Sequence, residues 1–213
     1  MLIGYVGDER YVVLHDVALA LEAGRSFEAR SRATGVVHAD LPPGRYTVTL
    51  ARDGYGFKRV ELDLPGDAPH SFRMLKDGLL GYAWPKCVRS GERAEFRVHC
   101  DEAYHLSLWR YGWLKEQVQP IGWFDEHGPR ATVQITPDGD YTQTGAQWNK
   151  HGYTSPHHKQ FVTAPERSGL YYFHAESESG QFFSFPWIVA PREPAAPMAV
   201  LANNITWNAY NNF

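Results

Sequence analysis

Only two cysteines, Cys87 and Cys100, occur in the 213-residue chain, which excludes the disulfide-dense scaffolds of small secreted domains. A bridge between two strands is conceivable for such a pair, but no secretion signal is present, so free thiols in a reducing compartment are expected. Neither cysteine has a neighbouring base in sequence that would activate it, and each reads as a small buried hydrophobe. Long apolar runs are also missing. No segment reaches the length of a membrane-spanning helix, and the start, Met1-Leu2-Ile3-Gly4-Tyr5-Val6-Gly7-Asp8-Glu9, has neither a basic leader nor an apolar core of signal-peptide length. A cytoplasmic location without a membrane partner is expected. Charge of one sign is lacking too: 21 Lys and Arg stand against 24 Asp and Glu, with no basic cluster, so nucleic acid is not an expected partner. The Gly-x-Ser-x-Gly elbow, the phosphate loop and the dinucleotide fingerprint are absent.

Extended 3.6-period stretches are missing as well, and what stands in their place is punctuation. Nineteen glycines and 14 prolines cut the chain into short alternating segments, the pattern of an all-β architecture. With 43% hydrophobic residues there is enough apolar material to fill more than one core. The reading is two consecutive β-sandwiches, over residues 1–76 and 77–190, a proline-rich linker over 191–197, and the start of a truncated α/β domain over 198–213. In the first sandwich, strands are expected over 17–21, 36–39, 46–50 and 59–64, with a tight turn at Pro42-Pro43-Gly44. In the second, Ala94, Phe96, Val98 and Cys100 alternate onto one face, and further strands are expected over 104–110, 131–135, 169–175 and 182–189. The stretch 137–161 reads as its main irregular loop. Met198-Ala199-Val200-Leu201, followed by a polar run to Asn212, looks like the first strand of a parallel sheet, and such a strand cannot fold without neighbours.

Three constellations carry possible chemistry. Trp109, Tyr111 and Trp113 alternate along one strand, opposite Leu106 and Leu108, so both faces of that strand are apolar. They form either a platform for a sugar or other planar ligand, or a face covered by a neighbouring domain, the commoner use of such stripes. Asp138 to Gly145 places oxygens at alternate positions, loosely like a calcium loop, but lacks the terminal bidentate acid; Asp138-Gly139 reads better as a turn. His151, His157 and His158, with Trp148, Lys150 and Tyr153, are the densest titratable group. No Cys or carboxylate joins them at ligand spacing, and they read as a loop packed on another domain rather than a metal site. Asp125-Glu126-His127 is equally unspecific.

Thr34 to Leu50, with its Leu-x-Pro-Gly-x-Tyr element matched at Leu41-Pro42-Pro43-Gly44-Arg45-Tyr46 with one extra proline, and the turn at Asp53-Gly54-Tyr55-Gly56, resembles the carboxypeptidase regulatory-like or transthyretin-like sandwich. The beginning of the second sandwich resembles an immunoglobulin-like one. The run Gly78 to Pro85 with Ser90-Gly91-Glu92, then Ser168-Gly169-Leu170-Tyr171, Trp187 to Pro191 and Val200 to Phe213, resembles the N-terminal region of the large (beta) subunit of the N,N-dimethylformamidase family, over about residues 77–213. That resemblance implies a downstream catalytic α/β domain with a mononuclear non-haem iron held by tyrosine and glutamate oxygens, hydrolysing the C–N bond of a small amide. Hard oxygen donors suit a ferric Lewis acid. Tyr210 is the one position here that can be offered as an iron ligand, against a packing role for the same residue. No other cofactor is expected in this chain, and its catalytic residues are unknown. The chain is then an inactive scaffold for a missing catalytic domain, with a homo-oligomer or small-subunit partner for the parent. The alternative is a stand-alone module that binds carbohydrate or protein through Trp109, Tyr111 and Trp113.

Overall fold

The structure is a computed structural model, and it describes residues 1–125, 133–134, 136–143, 159–203 and 206. In chain order the strands are β1 (Leu2–Asp8), β2 (Ala18–Glu22), β3 (Ser26–Arg30), β4 (Val36–Ala39), β5 (Gly44–Ala51), β6 (Phe57–Leu64), β7 (His70–Met74) and β8 (Leu80–Trp84). They continue with β9 (Cys87–Arg89), β10 (Arg93–His99), β11 (Tyr104–Arg110), β12 (Glu116–Phe124), β13 (Val133–Gln134), β14 (Lys159–Thr163), β15 (Gly169–Ser177) and β16 (Phe182–Ala190). Two compact units result. The first comprises Met1–Asp77 with the described part of Thr132–Gly152; the second is drawn from Gly78–Ala131 and Tyr153–Asn211.

In the first unit, sheet β4-β1-β7 accompanies sheet β13-β6-β5-β2-β3. Period-two alternation builds its core: Tyr46, Val48 and Leu50 of β5 and Leu19 and Leu21 of β2 are all buried, and the residues between them are not. Tyr46 also explains the Leu-x-Pro-Gly-x-Tyr element, because its hydroxyl donates to the carbonyl of Pro42, 3.0 Å away, and pins the turn to the strand it opens. Strand β1, absent from the sequence-based expectation, pairs antiparallel with β4 and parallel with β7. Its alternation is interrupted by Gly4, where a Cβ would meet the Phe72 ring at 2.8 Å, so the inward position that should carry a hydrophobe carries nothing.

In the second unit, sheet β14-β10-β8 faces sheet β12-β11-β15-β16-β9. Ala94, Phe96, Val98 and Cys100 are buried on one side, as the alternation requires, with Leu106, Leu108, Phe173, Phe185 and Trp187 in the same core. The leading edge changes sheets: β8 pairs antiparallel with β10, whereas β9 pairs parallel with β16. Tyr171 donates its hydroxyl to the carbonyl of Arg167 four residues upstream, the tyrosine corner of immunoglobulin-like sandwiches, which gives Ser168-Gly169-Leu170-Tyr171 a structural meaning. Cys87 is exposed and Cys100 buried, with no bridge between them.

Two expectations change. The stretch 137–161 is not one loop of the second sandwich: β13 adds in parallel to β6, residues 136–143 continue on the first unit, and β14 belongs to the second. A nine-residue strand, β12, lies where no strand was expected; its Pro120 is tolerated because β12 is an edge strand with a register shift beside its partner Ser107. Met198, Val200 and Leu201 lie in no strand and are 84–95% exposed. No helix among the described residues is long and apolar enough to cross a membrane.

Candidate functional site

The side of β11 away from the core carries His105, Ser107 and Trp109, opposite Glu176, His174 and Tyr172 of β15. Trp109 lies nearly parallel to Tyr172, with 6.2 Å between centroids and 17° between planes, and Tyr111 closes over the same tyrosine at 4.5 Å. The indole N–H of Trp109 donates to Ser107 Oγ at 2.9 Å, which fixes the ring. Farther along the face, His105 packs on Trp123 at 4.2 Å, and His174 Nδ1 lies 2.8 Å from Ser184 Oγ. The arrangement is a flat sheet face with rings at both ends and hydroxyl and imidazole groups between them.

Of the three aromatics expected to share a stripe, two meet. Strand β11 ends at Arg110, so the alternation stops before Trp113, which is fully exposed, as is most of Leu114. The ring that joins Trp109 and Tyr111 is Tyr172, which sequence reasoning passed over although it occupies the outward position of an alternating strand. His151, His157, His158 and Tyr210 lie outside the described residues.

The first unit holds a charged cluster that the turn reading of Asp138 did not foresee. Lys58 is buried and donates to the carbonyl of Arg73 at 2.7 Å, to the carbonyl of Thr136 and to Asp138 Oδ1. Asp138 also accepts from the Arg73 amide at 2.8 Å, and its Oδ2 lies 2.8 Å from His70 Nε2. The Arg73 guanidinium sits 4.1 Å above the Tyr11 ring, and the Tyr11 hydroxyl accepts from the Tyr141 amide. Burial lowers the Lys58 pKa, opposed by the adjacent carboxylate. For Asp138, burial pushes upward, but the His70 hydrogen bond and the Lys58 charge outweigh it and leave the carboxyl below its usual range. Lys58 was legible in part: it shares the inward parity of Val60, Leu62 and Leu64 on β6.

A second polar group lies on the non-core side of β10. Arg97 donates to Glu95 at 2.9 Å and to the Tyr82 hydroxyl at 3.1 Å, and burial pushes Tyr82 up to about 12. Burial holds the His99 imidazole down to about 4, against the opposite pull of Asp101. Between that value and the 6.5 of a free imidazole the unfolded chain binds the proton and the native chain does not. Stability of the second unit is therefore expected to fall as the pH drops from about 6.5 towards 4. Thermal melts of the parent chain and of His99→Gln over that range check this; parallel pH profiles for the two would refute it.

The one position offered for the implied iron, Tyr210, lies outside the described residues. Among them no three His, Cys, Asp or Glu side chains are grouped to hold a metal ion, and both oxygens of Asp138 are already hydrogen-bonded.

Fold and faces together define a chain of two β-sandwiches with an aromatic outer face. Residues 105–213 match the family described as N,N-dimethylformamidase beta subunit-like, C-terminal, and the chain belongs to that family. The matched region bears a C-terminal description where the sequence resemblance pointed to the N-terminal region of the subunit, and it starts inside β11 rather than near residue 77. No curated protein matches the sequence. Among solved structures, the chain is similar to a DUF3823 family protein from Bacteroides ovatus, at 12% identity and TM-score 0.31, covering 86% of this chain and 96% of that one. It is also similar to BcpA, the major pilin subunit of Bacillus cereus, at 9% identity and TM-score 0.30, covering 89% and 68%. Similarities this distant carry no argument about function.

Proposed function

We propose that this chain is the accessory, scaffolding region of a dimethylformamidase-like amidohydrolase, an enzyme that cleaves the C–N bond of a small amide. The observation that carries the reading is the family match over residues 105–213, which runs through the aromatic outer face of the second unit. In this reading the iron and the reacting groups belong to a separate catalytic domain, and the chain alone has no amidase activity. Trp109, Tyr111 and Tyr172 form a preassembled apolar patch suited to docking that domain. The unbridged cysteines support a cytoplasmic, reducing setting. A homo-oligomeric or small-subunit arrangement of the parent belongs to the same proposal.

The test is to read the source locus past the codon for Phe213 and assay amine release from a panel of small amides. The product of any extended frame is compared with this chain alone. Activity confined to the extended product supports the scaffold reading; activity of this chain alone, or a stop codon at that point, overturns it. A stand-alone binding module is the second reading, favoured by the full exposure of Trp113. It requires Trp113→Ala to abolish capture of a glycan or protein.

A further inference from the structure

We propose that β3, the free edge of the five-stranded sheet in the first unit, pairs with β3 of a second copy of this chain, antiparallel and centred on Ala29, so that the two sheets become one. In the order β13-β6-β5-β2-β3 it stands last, and among the described residues no strand pairs with its far side. The ladder with β2 shows which backbone groups face that side. The Ser31 amide donates to the Val17 carbonyl and the Ala23 amide to the Arg25 carbonyl, each at 3.0 Å. Hydrogen-bonded pairs recur at every second residue of an antiparallel ladder, so Phe27 and Ala29, lying between these two, turn their N–H and C=O groups towards β2. Ser26, Glu28 and Arg30 turn theirs away from it, all three are exposed, and among the described residues no backbone partner takes them up.

Charge then selects the occupant. Free edges are ordinarily blunted by proline, bulges or charges that repel a neighbour. Strand β3 has no proline, pairs with β2 without a register shift, and carries one acid and one base two positions apart, Glu28 and Arg30. A two-fold axis allows few registers, because outward backbone groups have to meet outward ones. Centring on Phe27 sets Ser26 against Glu28 and forms no ion pair. Centring on Glu28 opposes two carboxylates, which is destabilising. Centring on Ala29 sets Glu28 of each copy opposite Arg30 of the other, and the same two residues exchange their backbone hydrogen bonds. The Arg30 guanidinium is already anchored at Nη1 by Asp16 Oδ1, 2.8 Å away, and its remaining donors suit a carboxylate.

The core-facing side agrees with this register. Phe27 and Ala29 are only partly buried there, the Phe27 ring meeting Tyr46 edge-on at 6.2 Å. With Ala29 on the axis, Ala29 lies beside its own copy and Phe27 beside Ser31 of the other chain, so small side chains meet at the centre and each phenyl ring gains cover. An unrelated extended peptide is the competing occupant, since free strand edges invite strand addition. It offers the backbone alone, whereas a second copy offers backbone and both complementary charges. The pairing supplies a surface for the homo-oligomer of the amidohydrolase reading but does not depend on that reading.

The experiment is sedimentation equilibrium of the full chain, with hydrogen exchange read at low and high concentration. A monomer–dimer equilibrium is expected with Kd at or below about 1 mM, the weak range that suits a contact along one strand edge. The Glu28 and Arg30 amides should gain protection as the dimer forms, while those of Phe27 and Ala29 are protected at every concentration. Glu28→Arg and Arg30→Glu should each weaken self-association about tenfold or more, because each turns the ion pairs on both sides of the axis into like-charge pairs. Mixing the two variants should restore a dimer of one chain of each kind, since every pair is then of opposite sign. Circular dichroism confirms that each variant is folded. A chain that stays monomeric at about 1 mM overturns the proposal. So does a dimer indifferent to both substitutions, a mixture that fails to associate, or protection of Glu28 and Arg30 by an unrelated peptide alone. None of these outcomes involves amide hydrolysis, so this proposal and the amidohydrolase reading fail separately.

Discussion

Asp138→Ala is expected to destabilise the first unit by about 3–5 kcal/mol, because it strands the Lys58 ammonium in a buried site with two backbone carbonyls and no counter-charge. The loss should appear in hydrogen exchange as lowered protection of β5 and β6 amides, with the second unit much less affected. Lys58→Met combined with Asp138→Leu should recover part of it, since an apolar pair avoids burying a lone charge. Acid offers an independent check. The Asp138 pKa is depressed in the native state, so its contribution is complete above the ordinary carboxyl value of 3.8 and disappears as pH falls through the lower native one. Asp138→Ala should therefore flatten the acid limb of the stability profile. Wild-type protection in the alanine variant would show that the cluster holds nothing together.

Phe173→Ala is expected to cost the second unit about 3–5 kcal/mol, a large share of the stability of an ordinary domain. Phe173 is fully buried and meets Phe96 at 5.7 Å, Phe185 at 5.1 Å and Trp187 at 5.3 Å, so truncation leaves a cavity lined by three rings that cannot all move inward. Chemical denaturation followed by Trp187 fluorescence measures it. Trp113→Ala, at a side chain in solvent, should stay within about 0.5 kcal/mol and serves as the control. A small effect at Phe173 would mean that the aromatic cluster repacks freely.

The all-β class was legible because inward positions alternate cleanly in β2, β5 and β11, and a pleated strand buried on one face allows no other spacing. Strand β1 was hidden by Gly4, where the Phe72 ring fills the space of the missing side chain. Strand β12 was hidden by Pro120, whose missing N–H matters only where a neighbour would receive it. Of the aromatic face, Trp109 could be read from its own strand. Its meeting with Tyr172 depends on how β11 registers with β15, which no local pattern encodes. The Lys58–Asp138 contact was out of reach for the same reason. An inward lysine is visible in the alternation of β6, but nothing near Asp138 in sequence points to it.

Lys58 and Asp138 are 80 positions apart, and the intervening chain includes β8 to β12 of the other unit. On the ribosome, therefore, the first unit cannot finish when its seven leading strands have emerged. Its buried lysine waits, without its carboxylate, while five strands of the second unit are made. An expression boundary placed after residue 77 would freeze the protein at that intermediate stage, leaving the Lys58 ammonium at the end of β6 without its acidic partner. A fragment chosen for structural or binding work on the first sandwich has to carry residues 133–143 with it, covalently or as an added peptide.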